Sequence, residues 1–346
     1  MKTLRQNRPL SATGASGGSV LILALWTLFF LAALAIAVGT RVSSGIDLAR
    51  RVQDDTTASY LARAGVEAVI LAAAADTNAW DGLDTPWLND EKAYKDAPLG
   101  GGSFSISYEM DGPQGKRQVY YGVIGEESKI NLNRASRELL KAFLETAGGL
   151  DAMAAAELAA ALCDWRDVDH DPGLTGGAEN SYYETLDRSY QCHNGEFESV
   201  REALLVKGMG YGLFLRLEPY MTVYGTGKVN INTAGAVVMK SVAYSCGGQN
   251  PVTCESFVAK LMAFRSAGGV FREPAFGTMA GQLGGGTGLR GEEASLFEKI
   301  MGVGTHRSTC FGGTAYGNVK GHETAQSRID FVFDRERMSK LYWHER

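Results

Sequence analysis

The stretch Val20–Gly39, VLILALWTLFFLAALAIAVG, carries no charge and no proline. At about 1.5 Å per residue a helix of this length spans about 30 Å, the thickness of a bilayer core. Lys2, Arg5 and Arg8 precede the run, Arg41 follows it, and no Asp or Glu occurs in the first 46 residues. Positive charge gathered ahead of an apolar run keeps the N-terminus in the cytoplasm and sends the remainder outward.

Three processing outcomes fit such a segment. Ala35-Ile36-Ala37 forms an A-x-A signal-peptidase site, although the flanking regions are long for a cleaved signal. An uncleaved anchor is the second outcome. The third is a leader of the pilin type, cut after Gly18 in Ser16-Gly17-Gly18, so that Ser19 opens the mature chain and the helix survives. The downstream sequence favours the third. From Arg41 to about Ala75 there is no proline, and Ile46, Ala49, Val52, Thr56, Tyr60, Ala64, Ala68 and Leu71 recur at roughly helical spacing. The expectation is one helix from Val20 to about Ala75, half apolar (19–39) and half amphipathic (40–75), as in type IV pilins and their relatives.

The net charge of −5 becomes about −8 once the leader is removed, which speaks against nucleic acid as a partner. Cys163, Cys192, Cys246, Cys254 and Cys310 all lie beyond the apolar run and make no C-x-x-C pair. In an oxidising compartment, proximity in sequence predicts Cys163–Cys192 and Cys246–Cys254 bridges and an unpaired Cys310, although spacing alone does not fix connectivity.

In residues 76–126, Phe104, Ile106, Tyr108 and Met110 alternate as one face of a strand. The turn Asp111–Gly115 follows, and Val119–Ile124 reads as the hairpin partner. Ile329, Phe331 and Phe333 mark a further strand in 323–346. The long interval between repeats itself. Lys129-Ile130-Asn131-Leu132-Asn133-Arg134-Ala135 returns as Lys228-Val229-Asn230-Ile231-Asn232-Thr233-Ala234, and Gly195-Glu196-Phe197 returns as Gly269-Val270-Phe271. Asn133 and Asn232 are expected to cap the helices that follow them. From Asn131 to Gly195 is 64 positions but from Asn230 to Gly269 only 39, so the first copy (127–226) carries about 25 extra residues between its motifs relative to the second (227–322), accounted for by an acidic segment within 164–192. The units look like SAM-like or helix-hairpin-helix repeats. Val206-Lys207-Gly208-Met209-Gly210 has the form of a DNA-backbone hairpin, which makes an exported DNA-binding protein the alternative reading.

Asp167, Asp169 and Asp171 alternate along the acidic segment, and Glu179 follows beyond Pro172, Gly173, Gly176 and Gly177. Such oxygen-rich loops with glycine turns hold calcium. The Glu falls one position late for an EF-hand and Pro172 occupies the place of its glycine, so the loop is of another design. Crowded carboxylates call for a counter-ion. Asp164 and Asp187 are secondary candidates, and His170 is expected to be exposed, since calcium prefers oxygen. Motifs for catalysis are lacking: there is no phosphate loop, H-E-x-x-H or G-x-S-x-G, and Gly284–Gly288 reads as a flexible loop. The expectation is assembly, not enzymatic activity.

Ile130-Asn131-Leu132-Asn133-x-Ala135, Asp164-Trp165-Arg166-Asp167-x-Asp169, Gly177-Ala178-Glu179-x-x-Tyr182-Tyr183, Asn194-Gly195-x-Phe197-x-Ser199 and Lys228–Ala234 together resemble general secretion pathway protein K, the K-class minor pseudopilin of type II secretion systems. The resemblance runs from the leader to about residue 280. It implies an α+β fold: a pilin-like long helix on a small antiparallel sheet, with a large helical insert of two SAM-like modules. It also implies cleavage after Gly18 by prepilin peptidase, methylation of Ser19, and calcium in the insert. Leu23 stands at the fifth mature position, where the major pseudopilin carries a Glu, which fits a tip subunit with nothing above it. The implied partners are the I- and J-class minor pseudopilins, the major pseudopilin and secreted substrates. The implied location is the inner membrane, with the C-terminal part periplasmic.

Overall fold

The computed structural model describes residues 17–112, 116–173, 176–247, 250–272, 280–281, 283, 289 and 291–346. Most of the leader, the tip of the 111–115 turn, and the Gly284–Gly288 loop with Phe276 lie outside the described residues. The chain divides into residues 1–56 and 57–346. In the first unit the apolar run lies in helix α1 (Gly17–Ala75), which is long and apolar enough to cross a membrane, and its side chains are exposed throughout 18–53.

The second unit begins within the same helix. Ala58, Leu61, Ala62, Val66, Val69, Ile70 and Ala73 are buried at i, i+3 and i+4 spacing. This is not the face the periodicity pointed to: Tyr60 and Leu71 are exposed. The helix is apolar on more than one side, and the face that carries Ala58, Ala62, Val66 and Ala73 is the buried one.

After α2 (Glu91–Tyr94) come β1 (Ala97–Leu99), β2 (Gly102–Asp111), β3 (Arg117–Tyr121) and β4 (Ile124–Gly125). The expected second strand is therefore split. Gly122 interrupts it at φ +139, where a Cβ would lie 2.3 Å from the Leu88 carbonyl oxygen. Before the break, β3 pairs antiparallel with β2; after it, β4 pairs with a strand from the far end of the chain.

Between β4 and that strand lies the insert. Its first module holds β5 (Ile130–Asn131), α3 (Arg137–Thr146), α4 (Ala152–Arg166), α5 (Asn180–Tyr183), α6 (Tyr211–Leu217) and β6 (Met221–Thr222). Its second holds β7 (Val229–Asn230), α7 (Ala236–Gly247), α8 (Pro251–Ser266), α9 (Glu292–Val303) and β8 (Gly304–Thr305). Each module opens and closes on the same parallel pairing, Ile130 with Met221 and Val229 with Gly304. The modules share one hydrophobic core, from Ile130 and Phe143 to Phe257 and Phe297. A separate core under the sheet holds Val66, Ile106, Phe311 and Phe333.

The chain returns as β9 (Cys310–Val319), β10 (His322–Asp334) and β11 (Ser339–Glu345), giving the antiparallel order β1-β2-β9-β10-β11. Strand β9 corrects the extent of the second module: residues 310–319, assigned to it by sequence, run in the middle of the sheet. Their glycines disguised the strand. A Cβ on Gly317 would stand 1.9 Å from the Ala58 carbonyl oxygen, so glycine here lets α1 lie directly on the sheet.

Buried carboxylates tie the insert to this sheet. Glu127 accepts hydrogen bonds from Thr309 Oγ1 (2.6 Å), Thr309 N (3.1 Å) and Thr226 N (3.4 Å), joining the entry, the link between modules and the exit. Burial pushes the Glu127 carboxyl above its ordinary range, and the Thr309 bonds oppose that rise. Asp81 similarly binds Arg335 Nη1 and Ser308 N, both at 2.6 Å.

The close approach at Gly317 yields a test. Gly317→Ala should destabilise the fold by about 1–3 kcal/mol through overpacking, whereas Gly101→Ala, with open space around the added Cβ, should leave the melting temperature nearly unchanged.

Candidate metal centre

The two sequence repeats superimpose in their hydrogen bonding. Asn131 Oδ1 accepts from Asn133 N (2.8 Å), as Asn230 Oδ1 does from Asn232 N (2.9 Å). Asn133 then makes a reciprocal pair with Phe197, Nδ2 donating to its carbonyl (3.0 Å) and Oδ1 accepting from its N–H (2.7 Å). Asn232 does the same with Phe271, at 2.9 Å in both directions. These side chains therefore lock loops and do not cap helices. Helix α3 is capped by Ser136, whose Oγ accepts from Leu139 N. Arg166 reaches the carbonyls of Leu132 and Ala135, and Arg265 reaches that of Ala234, a further correspondence that the sequence reading missed.

In the second module only a few residues separate Arg265 from Phe271. In the first, the chain leaves Arg166 on an excursion before Phe197 is reached. Asp164, in the last turn of α4, is buried and organises the start of this loop: its Oδ2 accepts from Gly173 N at 3.0 Å, and a Cβ on Gly177 would lie 1.9 Å from the same oxygen. It is engaged in the loop's own hydrogen bonding and lies outside the group that Asp167, Asp169 and Glu179 form. The aromatic floor is Trp165, with Tyr183 at 5.3 Å and Tyr190, His193 and Phe197 at 6.3 to 6.5 Å between ring centroids.

Asp167, Asp169 and Glu179 each offer a carboxylate oxygen, all within 4.8 Å of one another. Glu179 is 2% exposed and stands at the N-cap of α5 without using its side chain as a cap. Both of its oxygens, and Oδ1 of Asp167, are buried without a hydrogen-bond partner. Buried acceptors are almost always satisfied, so three orphaned carboxylate oxygens facing one another fit a bound cation. Asp171 is not brought into the group; it lies exposed and its N–H caps Asp169 Oδ1 at 3.0 Å. Asp187 is exposed and also outside it.

Asn194, absent from the sequence-based ligand set, belongs beside this group. Its backbone takes φ +49, its Nδ2 donates to the Asp169 carbonyl (3.1 Å) and contacts His170 Nδ1 (2.6 Å), and its Oδ1 is buried without a partner. His170 is exposed, as expected, and engaged by Asn194. Carboxylates and an amide oxygen suit a hard divalent cation, calcium before zinc.

Both predicted disulfides are unformed: all five cysteines are free thiols. Cys163 Sγ faces Arg166, whereas Cys192 Sγ faces the carbonyls of Asp164 and Ala178. Cys254 Sγ lies against the Ala243 carbonyl and Cys246 Sγ beside Ser245 Oγ. In each expected pair the two sulfurs take different neighbours.

Comparison with known proteins adds the following. Residues 125–226 match the family described as type II secretion system (T2SS), protein K. The type II secretion system protein K of Klebsiella pneumoniae is 30% identical over 131 residues, 34% of this chain and 40% of that protein. That of Aeromonas hydrophila is 38% identical over 81 residues, 23% of this chain and 24% of that protein. The matched stretches thus span less than half of either relative. The fold is similar to a chain in the crystal structure of the GspK-GspI-GspJ complex from the enterotoxigenic Escherichia coli type 2 secretion system. The TM-score is 0.55 and the identity 14%, over 88% of this chain and 99% of that one. At that identity the likeness bears on the fold alone.

Burial, followed by the charges of Asp169 and Asp164, pushes Asp167 up to about 6, and burial with the three neighbouring aspartates raises Glu179. A carboxyl raised in the folded state makes the metal-free fold less stable above that value and relieves it as pH falls towards the unfolded range. The metal-free chain should therefore gain stability between pH 7.5 and 5 relative to an Asp167→Asn variant. That variant should be more stable than the parent at pH 7.5 by about 1 kcal/mol and should lose the calcium-induced rise in melting temperature. Identical pH profiles of melting for the two chains would contradict the assignment.

Proposed function

We propose that this chain, which belongs to the type II secretion system protein K family, serves as a minor pseudopilin at the tip of the pseudopilus. There it assembles with the I- and J-class minor pseudopilins to initiate or cap the filament during protein export across the outer membrane. The observation that carries this reading is the position of the matched domain: residues 125–226 enter after β4 and belong to an insert between strands of a sheet that packs on the long N-terminal helix. A pilin-like stalk supplies a subunit that can be added to a helical filament, and the insert supplies a head found at one end.

Several features support the reading. The exposed apolar run suits a single-pass anchor, with Lys2, Arg5 and Arg8 holding the N-terminus in the cytoplasm and the head in the periplasm. Leu23 leaves no carboxylate in the bilayer needing a partner. The chain that shares this fold was crystallised in complex with GspI and GspJ, which supplies the partner classes. Calcium held by Asp167, Asp169 and Glu179, with Asn194 beside them, would neutralise the loop and fix its shape on the head. The work of the protein is assembly, with no catalytic constellation invoked.

Co-expression with the I- and J-class pseudopilins of the same host tests the assignment. Affinity capture of this chain should recover both, and mass spectrometry of the captured material should find an N-terminus at Ser19, methylated. An intact Met1, or capture of neither partner after correct folding, would overturn the tip-subunit reading.

A further inference from the structure

The hairpin Val206–Gly210 has the form of a backbone-binding turn, yet it does not offer its groups outward. Lys207 N donates to Tyr183 Oη (3.2 Å), Met209 N to the Val206 carbonyl (3.0 Å) and Gly210 N to the Gly208 carbonyl (3.1 Å). The Lys207 ammonium donates to the Gly176 carbonyl (3.1 Å) and lies 4.9 Å from the centre of the Tyr182 ring. One residue before the hairpin, the Leu205 carbonyl accepts from Tyr190 Oη at 2.7 Å. A phosphate would have to displace these bonds, which weighs against the DNA-binding alternative.

The contacts just named that leave the hairpin go to one stretch, Gly176 to Tyr190, and Glu179 lies inside it. Gly176 adopts φ +83 with the Glu157 side chain beside it, three residues before Glu179. Tyr182 and Tyr183 end α5, whose N-cap is Glu179. The hairpin thus grips the segment on both sides of the buried carboxylate. Glu179 itself makes no side-chain hydrogen bond that would orient it.

We propose that the 206–210 hairpin, with Leu205 before it, is a clasp for the acidic loop and that Lys207 is a positioning residue for the cation site, holding Glu179 towards Asp167 and Asp169 without touching the ion. This rests on the metal reading above but makes a prediction of opposite sign from simple electrostatics. Removing a positive charge near a cation site should tighten binding by Coulomb's law. Removing a residue that orients a ligand weakens it, on the order of tenfold or more.

The test uses the full-length chain in detergent, with Lys207→Met, Lys207→Arg and Tyr190→Phe. Calcium affinity by titration calorimetry is paired with trypsin cleavage after Arg188, an exposed residue of the same loop, measured without calcium. Lys207→Met should bind calcium about tenfold more weakly and be cut faster at Arg188, Tyr190→Phe should move in the same direction, and Lys207→Arg should recover most of both properties. Equal or tighter calcium binding with unchanged cleavage in Lys207→Met overturns the proposal. Should the parent bind no calcium while Lys207→Met is still cut faster, the metal reading fails and the clasp stands. Unchanged cleavage in that case removes both.

Discussion

The reciprocal hydrogen bonds of Asn133 with Phe197 and of Asn232 with Phe271 are the constraint around which the insert is organised. Each asparagine satisfies one backbone donor and one backbone acceptor in a loop that has no sheet or helix to do so. A single such bond contributes about 1 kcal/mol net, but leaving its buried partners unmade costs more. With the loop pinned to the extended segment at the module entrance, the helices between must fold back, and Arg166 and Arg265 close the same turns from the other side. What lies between the arginine and the phenylalanine is then free to vary. The second module leaves it short; the first builds a candidate metal centre there.

This division explains which parts were legible in the sequence. The repeat shows because each half of the lock is a short motif, Asn-x-Asn-x-Ala at the module entrance and Gly-x-Phe on the loop. The apolar run and the alternation of Phe104, Ile106, Tyr108 and Met110 are legible for the same reason. Strand β9 was hidden because Gly312, Gly313 and Gly317 answer to the atoms packed across them, and no alternation survives. The buried face of α1 was misassigned because a helix apolar on several sides leaves the choice to the sheet it meets.

In the acidic loop, the sequence offered more candidate carboxylates than the fold brings together. Asp167, Asp169 and Glu179 converge, whereas Asp171 turns away because its own N–H closes a tight turn on Asp169. Asn194 escaped notice because neutral amides carry no charge pattern; its role depends on a left-handed backbone and a buried, unpaired oxygen. Asp164 anchors the glycine turns through its Oδ2, a part that residue type alone does not reveal. The expected cysteine bridges rest on sequence proximity, which says nothing of the direction in which each sulfur points.

The sheet and the insert answer to different physics. The part of α1 from Ala58 onward lies on a glycine-relieved sheet. The insert is a duplicated helical scaffold with charge concentrated on one loop, which a cation would turn from a repulsive cluster into a defined surface. The most direct measurement of that claim is terbium luminescence excited through Trp165, which lies beside the loop. The account predicts emission that calcium displaces and that Glu179→Gln abolishes; emission unaffected by calcium, or unchanged in that variant, would contradict it.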